Sequence, residues 1–240
     1  VKKKETPKTN AQEKLQEEIR DLKIAKLKTL APDKDKDSEL ATQLHADLKK
    51  DHADHLPLHL AWLAHQQKGE LTKRADAVRK AIEMVQKQVD LDGLQQHLGT
   101  PPDPEAEDRD ERKKKWDTQK SALITALRAS AQLDLAVAEA SKEKERPKAI
   151  ETFDASWKQL IRWSPAEEAA NADLRLDREQ LHNRYGNALK LVNAQISKAP
   201  RTKKHYETRL KLLEKLGWNE WQKHQKQDLL VRFPAEYPPF

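Results

Sequence analysis

Apolar residues recur along this chain at intervals of three and four between charged positions, and proline or glycine stands where the rhythm stops. Such spacing predicts amphipathic helices. No stretch alternates apolar and polar residues long enough to make a half-buried strand, so the pattern predicts an all-α protein. The first helix is expected over 12–30, with Leu15, Ile19 and Leu22 on one face, and a second over 38–50. After Pro57 come Leu58, Leu60, Trp62 and Leu63, and beyond Gly69 the positions Leu71, Ala75, Val78, Ile82, Val85 and Val89 form the best-defined stripe. A turn as short as Lys68-Gly69-Glu70 sets these two helices antiparallel as a hairpin. A short helix over 91–98 ends at Gly99.

Residues 108–141 are helix formers throughout, anchored by Trp116, Leu123, Leu127 and Leu135. They fit one helix spanning roughly 50 Å or two with a break. Ile150, Phe153, Trp157 and Leu160 follow at helical spacing. Ser164, Pro165 and Glu167 then read as N-cap, N1 proline and N3 acid of a new helix. A second hairpin carries Leu174, Leu181, Tyr185, Ala188, Val192 and Ile196, with Gly186 as its turn, and ends at Pro200. Segments 202–216 and 219–230 make a last pair around Gly217, the second opening with Asn219 and Gln222 as a capping box.

The architecture predicted is therefore stacked antiparallel helix hairpins, TPR-like or α-solenoid, with an extended C-terminal tail. Ala188 and Pro200 are partial counterparts of the small-residue and proline positions of hairpins that repeat every 34 residues or so, a degenerate match that supports stacked hairpins more than the repeat name. The expected division is a disordered tail over 1–10, an N-terminal helical lobe over 11–98, a Pro-rich acidic linker over 99–110, a C-terminal helical lobe over 111–232 and an extended tail over 233–240.

Composition sharpens this picture. Hydrophobic and charged residues each make up 36% of the 240, so the apolar side chains must lie on narrow stripes between thin helical layers. The net charge of +6 is spread over 86 charged residues, a mixed surface rather than a basic face. There is no cysteine, which excludes disulfides, thiol catalysis and thiolate metal sites and agrees with a cytoplasmic location. No apolar run reaches a membrane-spanning length, and the Val-Lys-Lys-Lys start lacks the apolar core of a signal peptide. A chain that begins with Val1 is expected to be a piece of a longer one.

Motifs for chemistry are missing: there is no phosphate loop, G-x-S-x-G elbow, H-E-x-x-H or EF-hand pattern. No catalytic residue, cofactor or metal is assigned. The densest ionisable cluster is Asp51-His52-Ala53-Asp54-His55 with His59. His55 and His59 have ligand spacing, but Pro57 between them makes them straddle a helix start. Basic runs at 2–4, 112–115 and 201–204 have acidic neighbours and read as salt-bridged helix surface, not as a nucleic-acid site. Of six tryptophans, Trp62, Trp116, Trp157 and Trp163 fall on apolar faces and are expected in the core. Trp218 and Trp221, with Phe233, Tyr237 and Phe240, need somewhere to dock, in cis or against another subunit, and form the candidate interface.

The segment Asn183-Arg184-Tyr185-Gly186-Asn187-Ala188-Leu189-Lys190, then Lys198-Ala199-Pro200, Leu212-Leu213-Glu214-Lys215-Leu216-Gly217-Trp218 and Tyr237-Pro238-Pro239, together resembles the end of the tripeptidyl-peptidase II family. Arg20-Asp21-Leu22-Lys23-Ile24, Leu56-Pro57-Leu58, Gln119-Lys120-Ser121 and 153–163 extend the similarity upstream. That resemblance implies the C-terminal helical region of a cytosolic, subtilisin-like serine exopeptidase that releases tripeptides from free peptide N-termini. It also implies the rest of the parent chain as partner and a homo-oligomer within a large complex, with no nucleic acid and no membrane. No catalytic Asp, His or Ser motif of that class is present here, so this chain by itself is expected to be non-catalytic. The other reading is a helical-repeat module that binds peptides or proteins on a concave face.

Overall fold

The computed structural model describes residues 10–32, 34–99 and 108–234. Among them all regular structure is helical, so the chain is all-α. It divides into two compact units, Val1–Ala140 and Ser141–Phe240. Residues 1–9, 100–107 and 235–240, and with them the greater part of the expected tails and linker, lie outside the described residues.

The first unit contains α1 (Asn10–Thr29), α2 (Asp35–Asp51), α3 (Leu56–Gln67), α4 (Ala75–Lys87), α5 (Leu91–Gly99) and α6 (Arg109–Ala140). Helices α1, α2 and α3 pack on one another, α3 continues onto α4, and α6 packs on α3, α4 and α5. Because α6 lies against these helices, the division falls after Ala140 instead of within 99–110, where the sequence suggests it. Helix α6 is unbroken, and its alanines at 122, 126, 129, 131 and 138 are buried.

The strong stripe of α4 is buried as expected at Val78, Ile82 and Val85, and Val89 just beyond the helix is buried too. Leu71 lies in the turn that precedes it, which runs on to Arg74. On α1 the face differs from expectation. Leu15, Ile19 and Leu22 are exposed, and it is Ile24, Leu27 and Leu30 that join Leu48, Leu58 and Ala61 in the core. Apolar residues occupy both sides of α1, and the side that meets α2 and α3 is the one buried.

Long-range caps hold this unit together. The last carbonyls of a helix have no partner within it. At the end of α1 Lys68 Nζ donates to Lys28 O, and in the turn that follows His65 Nδ1 donates to Leu30 O and Arg74 Nη2 to Pro32 O. Basic groups at this end also oppose the helix dipole. At the start of α5, Asp90 Oδ1 accepts the Gly93 N–H at 2.9 Å, and the Asp90 N–H itself donates to Gln119 Oε1 of α6 at 3.0 Å. Gly93 is required there, since a Cβ would stand 2.3 Å from Trp116 Cη2.

The second unit contains α7 (Arg146–Trp163), α8 (Ala166–Ala170), α9 (Ala172–Leu181), α10 (Tyr185–Lys198), α11 (Lys203–Lys215) and α12 (Asn219–Arg232). Consecutive helices from α7 to α12 pack pairwise; α9, α10 and α11 share a core of Leu176, Ala188, Val192 and Leu212. Asp154 of α7 accepts from Arg178 Nε at 2.6 Å and pairs with His182 Nε2 at 2.8 Å, tying α7 to α9. A helix starts after Ser164-Pro165 as predicted, but no side chain caps it; Glu167 is buried and binds Asn171 Nδ2 at 2.6 Å. Of the tryptophans expected in the core, Trp157 is buried and Trp62, Trp116 and Trp163 are half-buried.

Candidate interaction surfaces

The corner between α11 and α12 is built by the backbone. Gly217 has φ +69°, the left-handed region that a Cβ disfavours. Its N–H donates to Glu214 O at 3.0 Å, and the next N–H, of Trp218, donates to Leu213 O at 2.9 Å. These two bonds make a Schellman motif, which closes the α11 carbonyls and turns the chain directly into α12. The N-cap of α12 is Trp218, so Asn219 already lies inside the helix and the expected Asn219–Gln222 capping box does not form.

The same device closes α9. Asn183 has φ 55°, its N–H donates to Gln180 O at 2.9 Å, and the Arg184 N–H donates to Glu179 O at 2.8 Å. The turn is thus at Asn183 and not at Gly186, which is the second residue of α10. Asn tolerates the left-handed region where other side chains do not.

Trp218, the N-cap of α12, and Trp221 in its first turn are exposed, at 48% and 67% of their surface. Val231, at 80%, is also open on this helix. At the other end, half-buried Phe233 packs edge-to-face on Tyr206, ring centroids 5.7 Å apart. Tyr206, near the start of α11, anchors that end of the pair, and sequence reasoning missed it. It is buried, its Oη donates to Pro200 O at 3.0 Å, and the guanidinium groups of Arg209 and Arg232 each lie 5.4 Å from its ring. Burial pushes the Arg209 pKa down, and Asp228 at 3.7 Å opposes the shift. A lone tyrosine before three turns of Leu-rich helix, with arginines at positions 209 and 232, was the available signal. Tyr237 and Phe240 lie outside the described residues.

Of the candidate interface residues, Trp218 and Trp221 are exposed three positions apart at the start of α12, and Phe233 is set apart against Tyr206. The histidine cluster resolves into separate roles. His52 ends α2, His55 precedes α3, and buried His59 donates through Nε2 to Ala53 O at 2.7 Å. Among the described residues no group of three or more His, Asp or Glu could hold a metal ion. No described helix is long and apolar enough to cross a membrane.

A chain of paired helices, with an aromatic patch at a helix corner and no assembled catalytic group among its described residues, defines a helical module. Its relatives are specific. Residues 2–75 match the family model described as "Tripeptidyl peptidase II, C-terminal". Over 239 residues, 95% of the chain, it is 32% identical to "Tripeptidyl-peptidase 2" of Oryza sativa subsp. japonica, and over 240 residues, again 95%, it is 30% identical to "Tripeptidyl-peptidase 2" of Arabidopsis thaliana. The chain belongs with the C-terminal region of the tripeptidyl-peptidase II family. It spans 17% of the length of each of these curated relatives. No solved structure matches it.

Proposed function

We propose that this chain is the non-catalytic helical module of a tripeptidyl peptidase whose subtilisin-like serine active site lies elsewhere in a longer polypeptide, and that it supports assembly of that enzyme into a large homo-oligomer. The activity it serves is the cytosolic release of tripeptides from free peptide N-termini, as the family resemblance implies. The observation that carries the reading is the exposed pair Trp218 and Trp221 on a backbone-closed corner. Large aromatic side chains held rigidly at a surface are the usual anchors of protein interfaces. Tyr237 and Phe240 are proposed to add to this contact, while Phe233 packs on Tyr206.

The test is to delete this region from a full-length parent enzyme and to follow, together, assembly size by analytical ultracentrifugation and hydrolysis of a tripeptide-amide substrate. Smaller assemblies with reduced activity are expected. Normal assembly after the deletion contradicts the scaffold role.

One observation favours the second reading, a helical-repeat module that captures peptides or protein partners. The Schellman turn at Asn183 recurs at Gly217, and Pro200 and Pro234 follow the two turns at equal distances. This is the roughly 34-residue period of TPR-like hairpins, whose stacking creates concave binding surfaces.

A further inference from the structure

Three imidazoles are buried where α2 and α3 meet. His45 of α2 stacks on Trp62 of α3 with ring centroids 4.3 Å apart and planes 7° from parallel, and His65 stacks beside the same indole at 5.5 Å and 23°. His65 and His59 are almost wholly buried at 1% and 2% exposure, and His45 has 9%. The sites of His45 and His65 favour a neutral ring. His65 uses Nδ1–H to cap Leu30 O, and His59 uses Nε2–H to reach Ala53 O. His45 Nε2 and His59 Nδ1 are buried with no hydrogen-bond partner. A second proton on His45 would create a buried cation, with an N–H that no acceptor meets.

We propose that the α1–α3 core is an acid-labile element of the fold: on acidification the histidines packed around Trp62 take up protons that their sites cannot hold, and this core opens. The charged surroundings reinforce burial. Around His45 the acting groups are His59, across on α3, and Lys49 on its own helix. Around His65 they are Arg74 and Lys68, with Asp37 of α2 opposing. Beside His55, Arg20 of α1 adds to burial, as do His52 and His59, while Asp21 of α1 opposes. Across the groove between α1 and α2, Arg20 and Lys23 face Asp47 and Asp51.

Burial, then His59, then Lys49 lower the His45 pKa to about 4, and burial lowers those of His65 and His55. A depressed folded-state value means that the unfolded chain binds the proton first as pH falls. The stability these rings contribute is complete above about pH 6.5. It is lost as the pH falls toward the folded value of His45, about 4.

The experiment is hydrogen exchange on the whole 240-residue chain at pH 7 and pH 5, corrected for intrinsic exchange rates, with a His45→Phe variant that keeps the stack and removes the titrating nitrogen. For the wild type the opening constant of α1–α3 peptides is expected to rise on the order of tenfold between the two pH values, and the rise is expected to shrink in the variant. An equal rise in both proteins overturns the proposal, as does unchanged protection in the wild type. Should the variant not fold, imidazole NMR of the wild-type chain decides: a His45 midpoint below pH 5 supports the device, and one near pH 6.5 overturns it.

Discussion

In the first unit helix ends are held by side chains that reach over from other helices, whereas in the second the α9 and α11 ends are closed by their own backbone. Lys68, His65 and Arg74 bind carbonyls at the end of α1 and in the turn beyond it, and Gln119 of α6 secures the start of α5. The turns at Asn183 and Gly217 need nothing beyond the residues that form them. A locally closed hairpin can be repeated, and its corner can carry exposed side chains without loss of order. A fold held by distant caps depends on every helix being in place. The first unit should therefore respond as one cooperative block to damage anywhere in it, and the second should absorb local changes.

Core truncation gives the largest effect and tests whether the units melt separately. Leu58→Ala in the first unit and Leu212→Ala in the second, at 0% and 1% exposure, should each cost about 2–5 kcal/mol. In calorimetry each should lower its own transition and leave the other in place; a common shift breaks the comparison. Next is Gly93→Ala, where the new Cβ meets Trp116 at 2.3 Å and Asp90 at 2.4 Å. Overpacking of this kind costs about 1–3 kcal/mol, and urea titration should show it in the first unit.

A smaller effect is expected from Gly217→Ala, about 1 kcal/mol, because the left-handed backbone becomes strained. Asn183→Gly should stabilise slightly for the same reason, and thermal melting of both variants checks the sign. The smallest change is expected at Lys223→Ala, whose pair with Glu220 is fully on the surface. Its effect on the melting temperature should be near zero.

Where structure followed from local pattern, the sequence was a good guide. The Val78, Ile82 and Val85 stripe, the Gly217 corner and the all-helical class rest on periodicity and on the one residue type that suits a left-handed turn. Where tertiary partners choose between alternatives, it was not. On α1 two apolar faces compete, and packing with α2 and α3 selects Ile24 and Leu27 over Leu15 and Leu22. Asn183 takes the turn that glycine at position 186 suggests, because the α9 cap falls three residues earlier. Trp218 and Trp221 stood out in the sequence as aromatics in need of a docking place, but whether that place lay in cis was not legible there. The His45–Trp62–His65 stack was not, since it joins residues of two helices whose pairing no local pattern encodes.

The central claim is that the chain contributes a surface, centred on Trp218 and Trp221, to the assembly of a larger peptidase. Its most direct test is a full-length parent enzyme carrying Trp218→Ala with Trp221→Ala, compared with wild type by sedimentation velocity, alongside thermal melting of the 240-residue chain with the same changes. The account predicts smaller particles from the doubly substituted enzyme and a melting profile close to that of the wild-type chain. Particles of unchanged size would contradict it.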